Sequence, residues 1–344
     1  MKFILFCNLP YAFSILQPLE DEIKRRGFEH IWYVPEKILH AFPYIQSNYT
    51  TSIKDLKAYK SDVIFVPGNE VPHFLRGIKV QIFHGLAGEK KGHFRIRDYF
   101  DLYLTQGPYF TDKFNDLSMK YKNFKVMETG WCKLDKLYSI SKETLQEKAD
   151  ILKEKNVEKI VLYAPTFSPS LTSGLKLVDT IKELANQDNL LVIIKFHDKM
   201  DDVIKEVYKK LKVKNLVISD EKDITKLLQI SDLMISDTSS VVYEFILLDK
   251  PVITLDSASE NINWTNLHNV DEVKMKALYI LNENDEYKEK RQKTIEEYHP
   301  YHDGKSASRM IDATIEYKNE WGVPDKRKLS MLRKLKIFKQ YGMN

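Results

Sequence analysis

Short apolar runs alternate along this chain with longer stretches whose apolar residues return every three or four positions. One set of runs comprises Lys2–Phe6, His30–Val34, Val63–Val66, Val80–Phe83, Leu102–Thr105 and Lys125–Glu128. A second comprises Lys159–Tyr163, Leu190–Lys195, Leu216–Ile218, Leu233–Ile235 and Pro251–Leu255. Rich in Val, Ile, Leu and aromatic residues, they read as buried parallel strands. The periodic stretches between them, such as Ile15–Arg26, Leu175–Asn186, Val203–Leu211 and Ser240–Leu248, predict amphipathic helices. This alternation predicts an α/β fold with helices on both faces of each sheet.

The two sets predict two Rossmann-like, doubly wound domains, residues 1–138 and 139–324, followed by a separate tail at 325–344. The join falls near Gly130–Ser141, after which a charged helix, Glu143–Lys155, opens the second domain. A length of 344 residues agrees with about two domains. Each sheet would turn its C-terminal strand ends toward an intervening cleft, where ligands of open α/β sheets bind.

Composition narrows the class. At 43% hydrophobic and 30% charged residues the chain has material for ordinary cores and is not expected to be disordered. A net charge of +4, from 53 Lys+Arg against 49 Asp+Glu, argues against a dedicated nucleic-acid binder. Cys7 and Cys132 form no CxxC pair and fit a reducing compartment. The apolar start, Met1–Leu9, is too brief for a signal peptide and reads as a buried first strand. No run approaches the roughly 18 apolar residues of a spanning helix, so a soluble or peripheral protein is expected.

Polar residues gather immediately after the expected strands. Phe83 leads into His84-Gly85, Tyr163 into Ala164-Pro165-Thr166-Phe167, Phe196 into His197-Asp198, and Ile235-Ser236 into Asp237-Thr238-Ser239-Ser240. Ser239 and Ser240 suit a helix start, where free N–H groups and hydroxyls can hold a phosphate, and Glu244, one turn on, could accept from ribose hydroxyls. The same residues also suit a plain N-cap before a core helix. His84 is either a general base or a hydrogen-bonded histidine at a strand end. Gly85 would permit a close approach by substrate. His197 could stabilise a leaving phosphate as imidazolium or as N–H donor, while Asp198 could simply cap the next helix. Lys90 and Lys91, in Gly88-Glu89-Lys90-Lys91-Gly92-His93, could draw in an anionic acceptor or form a solvated loop. There is no Walker loop, no GxGxxG, no zinc-ligand spacing and no Asp-x-Asp clamp. A metal-independent transfer without a cofactor is therefore expected. In the tail, Lys326, Arg327, Lys328, Arg333, Lys334, Lys336 and Lys339 interleave with Leu329, Leu332, Leu335 and Phe338. That pattern fits either an anionic membrane surface or a helix packed on the protein with a solvated basic face.

These segments, in this order, resemble the CDP-glycerol glycerophosphotransferase family of teichoic-acid and capsule synthesis. Ser231–Asp237 before the serines, Asp249-Lys250-Pro251-Val252-Ile253 and His302-Asp303-Gly304-Lys305-Ser306-Ala307-Ser308-Arg309 extend the likeness over roughly residues 60 to 315. The resemblance implies a GT-B fold with the donor held mainly by the C-terminal domain. It implies His84 as catalytic base, and His197, Thr166, Ser239 and Ser240 on the donor diphosphate. Ser168 stands where the family often has arginine, and Asp198 where it often has proline; both leave CDP-ribitol or another activated group open as donor. The expected reaction is attack of an acceptor hydroxyl on the donor β-phosphate with release of CMP, the acceptor being a lipid-linked glycan or polyol phosphate at the cytoplasmic membrane face. Asp237, Thr238 and Ser168 are expected to join the donor site. The length favours a primase-like or single-addition enzyme over a long-chain polymerase. Alternatives are a GT-B glycosyltransferase attacking carbon of a nucleotide sugar, and a non-catalytic nucleotide-binding member of the fold.

Overall fold

The structure, a computed structural model, describes residues 1–86, 93–221, 223–259, 262–325, 327 and 329–342. It forms two compact units, Met1–Lys136 with Glu297–Asn344, and Leu137–Glu296.

The first unit carries strands β1 (Lys2–Phe6), β2 (Glu29–Tyr33), β3 (Tyr49–Thr50), β4 (Val63–Val66), β5 (Ile78–Gln81), β6 (Leu102–Thr105) and β7 (Lys125–Glu128). All are parallel, in the order β3-β2-β1-β4-β5-β6-β7, so the strand order reverses between β1 and β4. The second unit carries β8 (Lys159–Tyr163), β9 (Leu190–Ile194), β10 (Leu216–Ile218), β11 (Leu233–Ser236), β12 (Val252–Leu255) and β13 (Thr265–Leu267). They too are all parallel, in the order β10-β9-β8-β11-β12-β13, with the reversal between β8 and β11.

Three aspartates fix register at the N-terminal edges of these sheets. Asp62, before β4, accepts the Lys2 N–H at 2.9 Å; Asp101, before β6, accepts the Lys79 N–H at 2.8 Å; Asp232, before β11, accepts the Ile160 N–H at 2.8 Å. Each short apolar strand is thus pinned to its neighbour by a carboxylate just outside it. Each unit has its own core. One gathers Ile4, Ile64, Val66, Phe83, Tyr103 and Phe114; the other Val161, Leu184, Val192, Ile235 and Leu255.

The expected boundary after residue 138 lies close to the observed crossing, but residues 297–324, expected in the second domain, cluster with the first unit. Their helix, Ser306–Trp321, packs on the helix Ala12–Arg25. Asp135 accepts the N–H groups of Ser306 and Ala307 at 2.8 and 2.7 Å, capping that helix, and Arg26 reaches the Ser308 hydroxyl at 2.7 Å. The returning chain lies against two glycines that leave no room for a side chain. A Cβ on Gly107 would sit 2.5 Å from the Tyr298 carbonyl oxygen, and one on Gly130, at φ +79°, 2.5 Å from Ser306 Oγ. Arg309 closes the clamp, donating to the Thr129 carbonyl at 2.8 Å and to Asp303 while lying over the Tyr301 ring. The segment His302–Arg309 therefore has an architectural use.

The tail forms the helix Met331–Tyr341 in the first unit, with Ser330 capping the Arg333 N–H. Lys326 and Lys328, like Lys90 and Lys91, lie outside the described residues. Among the described residues no helix is long and apolar enough to cross a membrane. Cys7 and Cys132 are both buried and free.

Candidate functional site

In the first unit the C-terminal strand ends at the reversal point bring together Tyr11, Pro67 and His84. The strand before His84 ends at Gln81, two residues earlier than its apolar pattern suggests, because Phe83 turns into the left-handed region at φ 61°. Such a conformation costs a bulky residue of order 1–3 kcal/mol and must be held by its surroundings. Gln81 supplies the hold: its Oε1 accepts the Phe83 N–H at 3.2 Å and its Nε2 donates to the Gly68 carbonyl at 2.9 Å. The Phe83 ring packs inward on Phe114 and lies parallel to His93. The turn throws His84 outward into solvent.

The His84 ring is then oriented by one bond. Nδ1 lies 3.1 Å from the Pro67 carbonyl oxygen, which can only accept, so Nδ1 carries the proton and Nε2 keeps its lone pair. Tyr11 flanks the ring, centroids 5.4 Å apart. Gly85 leaves open space, since a Cβ there would meet no described atom within 4 Å, and its carbonyl accepts from the buried Gln106 at 3.3 Å. His93 is a different ring: burial, and then the nearby His84, push its pKa down to about 4, so it stays neutral.

In the second unit the residues flanking the reversal between β8 and β11 form one connected loop system. Asp237 is 0% exposed, and its carboxylate accepts the Thr166 N–H, the Ser173 N–H and the Ser173 hydroxyl, each at 2.8 Å. Ser236 Oγ donates to the Ala164 carbonyl at 2.7 Å, and the loop from Ala164 to Ser173 turns about the Ser168 carbonyl. Burial raises the Asp237 pKa, and its three donors oppose that shift. With no exposed surface and its carboxylate spent on three donors, Asp237 is placed as a peg that shapes the loop bearing Thr166 and Ser168, rather than at the surface expected of a donor contact.

Thr238 and Ser239 are half-buried and Ser240 is exposed at the same edge. Thr238 Oγ1 accepts the Ala258 N–H at 2.9 Å. The following helix, Val241–Ile246, has only six residues, and the Ser240 side chain makes no capping bond. Ser240 thus holds the N-cap position without spending its hydroxyl on a cap, and so short a helix lends little dipole. Glu244 lies one turn in, 9% exposed.

His197 completes this edge just past β9, the strand beside β8. Its Nδ1 accepts the Lys199 N–H at 3.1 Å, so the neutral ring carries its proton on Nε2. Burial lowers its pKa, with Lys199 and Lys195 adding to the shift against the opposing effect of Asp198. The imidazolium is thus disfavoured and the N–H donor favoured. Phe167 packs on the ring at 4.3 Å.

A model of the family described as CDP-glycerol:poly(glycerophosphate) glycerophosphotransferase matches residues 83–261. The chain belongs to this family. No curated protein matches the chain in sequence. Among solved structures, the H548A form of the wall teichoic acid polymerase TagF is similar at 15% identity with a TM-score of 0.66, over 93% of this chain and 89% of that one. A putative UDP-N-acetylglucosamine 2-epimerase from Listeria monocytogenes is similar at 14% identity and TM-score 0.64, over 95% and 98%. The Staphylococcus aureus MnaA–UDP complex is similar at 16% identity and TM-score 0.64, over 96% and 99%. At such identities these likenesses establish the GT-B fold, two Rossmann-like units with parallel sheets.

For this glycerophosphotransferase family member, the matched region begins at Phe83-His84 and spans Thr166, Ser168, His197 and Asp237–Glu244. Thr166, Ser168, His197 and Thr238–Ser240 share one sheet edge in the second unit; His84 and Gly85 occupy the corresponding edge of the first. Sequence reading missed Tyr11, Gln81, Pro67 and Ser173. Tyr11 alone had a readable signal, since Asn8-Leu9-Pro10 breaks the chain after β1. Among the described residues no cluster of three His, Cys, Asp or Glu is placed to share a metal ion.

Proposed function

We propose that the protein transfers glycerol phosphate, or a related polyol phosphate, from a CDP-linked donor to a hydroxyl of a lipid-linked glycan or polyol-phosphate acceptor. The setting is teichoic-acid or capsule-type polymer synthesis at the inner face of the cell membrane. The acceptor oxygen bonds to the donor β-phosphorus as the bridging P–O bond breaks, and CMP departs. His84 Nε2 takes the hydroxyl proton as that bond forms. His197 Nε2–H, Thr166 and the hydroxyls of Ser239 and Ser240 donate to the diphosphate, where negative charge accumulates on the leaving CMP. Thr238 and Ser168 line the same edge, and Glu244 accepts from the ribose. Lys90 and Lys91, beside Gly85 in sequence, attract the anionic acceptor. Transfer proceeds without a metal ion, with side-chain donors neutralising the leaving group.

The observation that carries this reading is the exposed His84 ring: with Nδ1 spent on the Pro67 carbonyl, the neutral ring has its lone pair on Nε2. That is the arrangement a general base requires.

CMP release from CDP-glycerol in the presence of a polyol-phosphate acceptor tests it. The expected result is acceptor-dependent release that persists in a chelator. Turnover of nucleotide sugars, with none of any CDP-polyol, would instead identify a glycosyltransferase; tight CDP binding without turnover would identify a non-catalytic binder.

A further inference from the structure

The tail helix Met331–Tyr341 is firmly seated, yet it leaves apolar side chains in water. Ile337 is 0% exposed, Phe338 stacks on Phe74 with centroids 5.7 Å apart, and the Tyr341 hydroxyl meets Asn8 Nδ2 at 2.8 Å. Arg333 pairs with Asp98, Lys336 with Glu70 and Arg327 with Asp101. The apolar seam expected from Leu329, Leu332, Leu335 and Phe338 is therefore split. Leu329 and Phe338 turn inward, whereas Met331, Leu332 and Leu335 are 71%, 80% and 59% exposed. These three occupy positions i, i+1 and i+4, adjacent on one helix face. Lys334 and Lys339 lie on the same helix, half-buried and exposed respectively. Residues 326–344 contain seven basic residues and no acidic one.

We propose that Met331, Leu332 and Leu335 insert shallowly into an anionic lipid surface, with the tail's lysines against the headgroups. An exposed apolar patch on a helix that also carries Lys334 and Lys339, while Arg333 and Lys336 are held by Asp98 and Glu70, matches such a surface in both apolarity and charge. Three side chains fall well short of the roughly 800 Å² per partner that a specific protein interface buries. The placement also serves the chemistry, a link that rests on the lipid-linked acceptor proposed above. The helix starts beside Asp98 and Asp101, at the N-terminal edge of the first sheet, and ends at Asn8, at the C-terminal edge that bears Tyr11 and His84. At 1.5 Å per residue, Leu335 is about 9 Å along the axis from Tyr341. The lipid-facing side chains and the edge carrying His84 thus belong to one compact unit, and a membrane-borne acceptor would arrive beside the base.

Flotation of the full chain with vesicles of equimolar phosphatidylglycerol and phosphatidylcholine, against phosphatidylcholine alone, tests the proposal. The wild type should float with the anionic vesicles only. Leu332→Glu with Leu335→Glu should weaken partitioning at least tenfold, and Lys334→Glu with Lys339→Glu several-fold. Met119→Glu, at an exposed apolar position on another helix, should change nothing. CMP release with a soluble acceptor should be unaffected in all of these variants, which separates loss of docking from loss of fold. Equal binding to both vesicle types, no binding, or wild-type binding by the Leu332/Leu335 variant would overturn the proposal. So would a wild-type dimer that the same substitutions dissolve, since a second copy would then cover the patch. Vesicle binding without turnover of any CDP-polyol would leave the surface standing and remove the proposed activity.

Discussion

His84 and His197 stand on corresponding edges of two parallel sheets, one strand away from the reversal point in each, yet their rings are oriented in opposite senses. In His84, Nδ1 donates to the Pro67 carbonyl, so the neutral ring has its lone pair on Nε2. In His197, Nδ1 receives the Lys199 N–H, so Nε2 keeps a proton to give. One backbone carbonyl and one backbone N–H, neither from a catalytic residue, thus make the first ring an acceptor and the second a donor. Two equivalent folds thus present complementary ring nitrogens through their backbone partners.

The comparison breaks first at turnover. His84→Ala should lower kcat/KM by about a hundredfold or more, with CDP-glycerol binding little changed. His197→Ala should cost roughly ten- to a hundredfold, shared with weaker donor binding, because it removes an N–H donor that burial keeps neutral. A few-fold loss in His84→Ala would end its assignment as base. Unchanged CDP-glycerol binding in His197→Ala would remove His197 from the donor site.

Asp237 sharpens the account of the His197 edge. Replacing it with Ala leaves the N–H of Thr166 and both donors of Ser173 without their acceptor. Thermal or urea unfolding without ligand should show a loss of about 3 kcal/mol. Weakened CDP-glycerol binding at unchanged apo stability would mean that Asp237 touches the donor directly.

A third histidine calibrates both rings. His299 is buried, its Nε2 accepts the Trp131 N–H at 2.9 Å, and burial, with His302 and Arg309, pushes its pKa down from 6.5 to about 3. Between those values the unfolded chain binds a proton that the folded chain refuses, so stability falls as pH drops below 6.5. At pH 5 the loss from this group is about 2 kcal/mol. His299→Gln, which retains an acceptor for Trp131, should flatten the pH dependence of unfolding between pH 7 and 5. An unchanged dependence would show that His299 is not the group responsible.

The alternation of strands and helices was legible because strands such as Phe3–Phe6 and Val63–Val66 are apolar throughout, and the chemistry after each was legible because the ends of parallel strands share one edge. Strand β3, at two residues, and β13, Thr265-Asn266-Leu267, carry too little apolar pattern to read. The return of the chain to the first unit was hidden because the period of Ser306–Trp321 gives a buried face but not the helix it meets. Asp237 looked like a ligand contact since its partners Ser173 and Thr166 lie 64 and 71 residues away. The tail's three-residue spacing left a membrane surface and a packed helix equally open for Leu332 and Leu335, and gave no sign that tertiary packing would bury Ile337 instead.

The opposed ring states of His84 and His197 can be read directly from long-range proton–nitrogen spectra of protein labelled with nitrogen-15 in histidine, at pH 7.5 and without ligand. His84 should show a protonated Nδ1 with a bare Nε2, and His197 a bare Nδ1 with a protonated Nε2. Both rings in the same tautomer, or the two states exchanged, would contradict the division into base and donor.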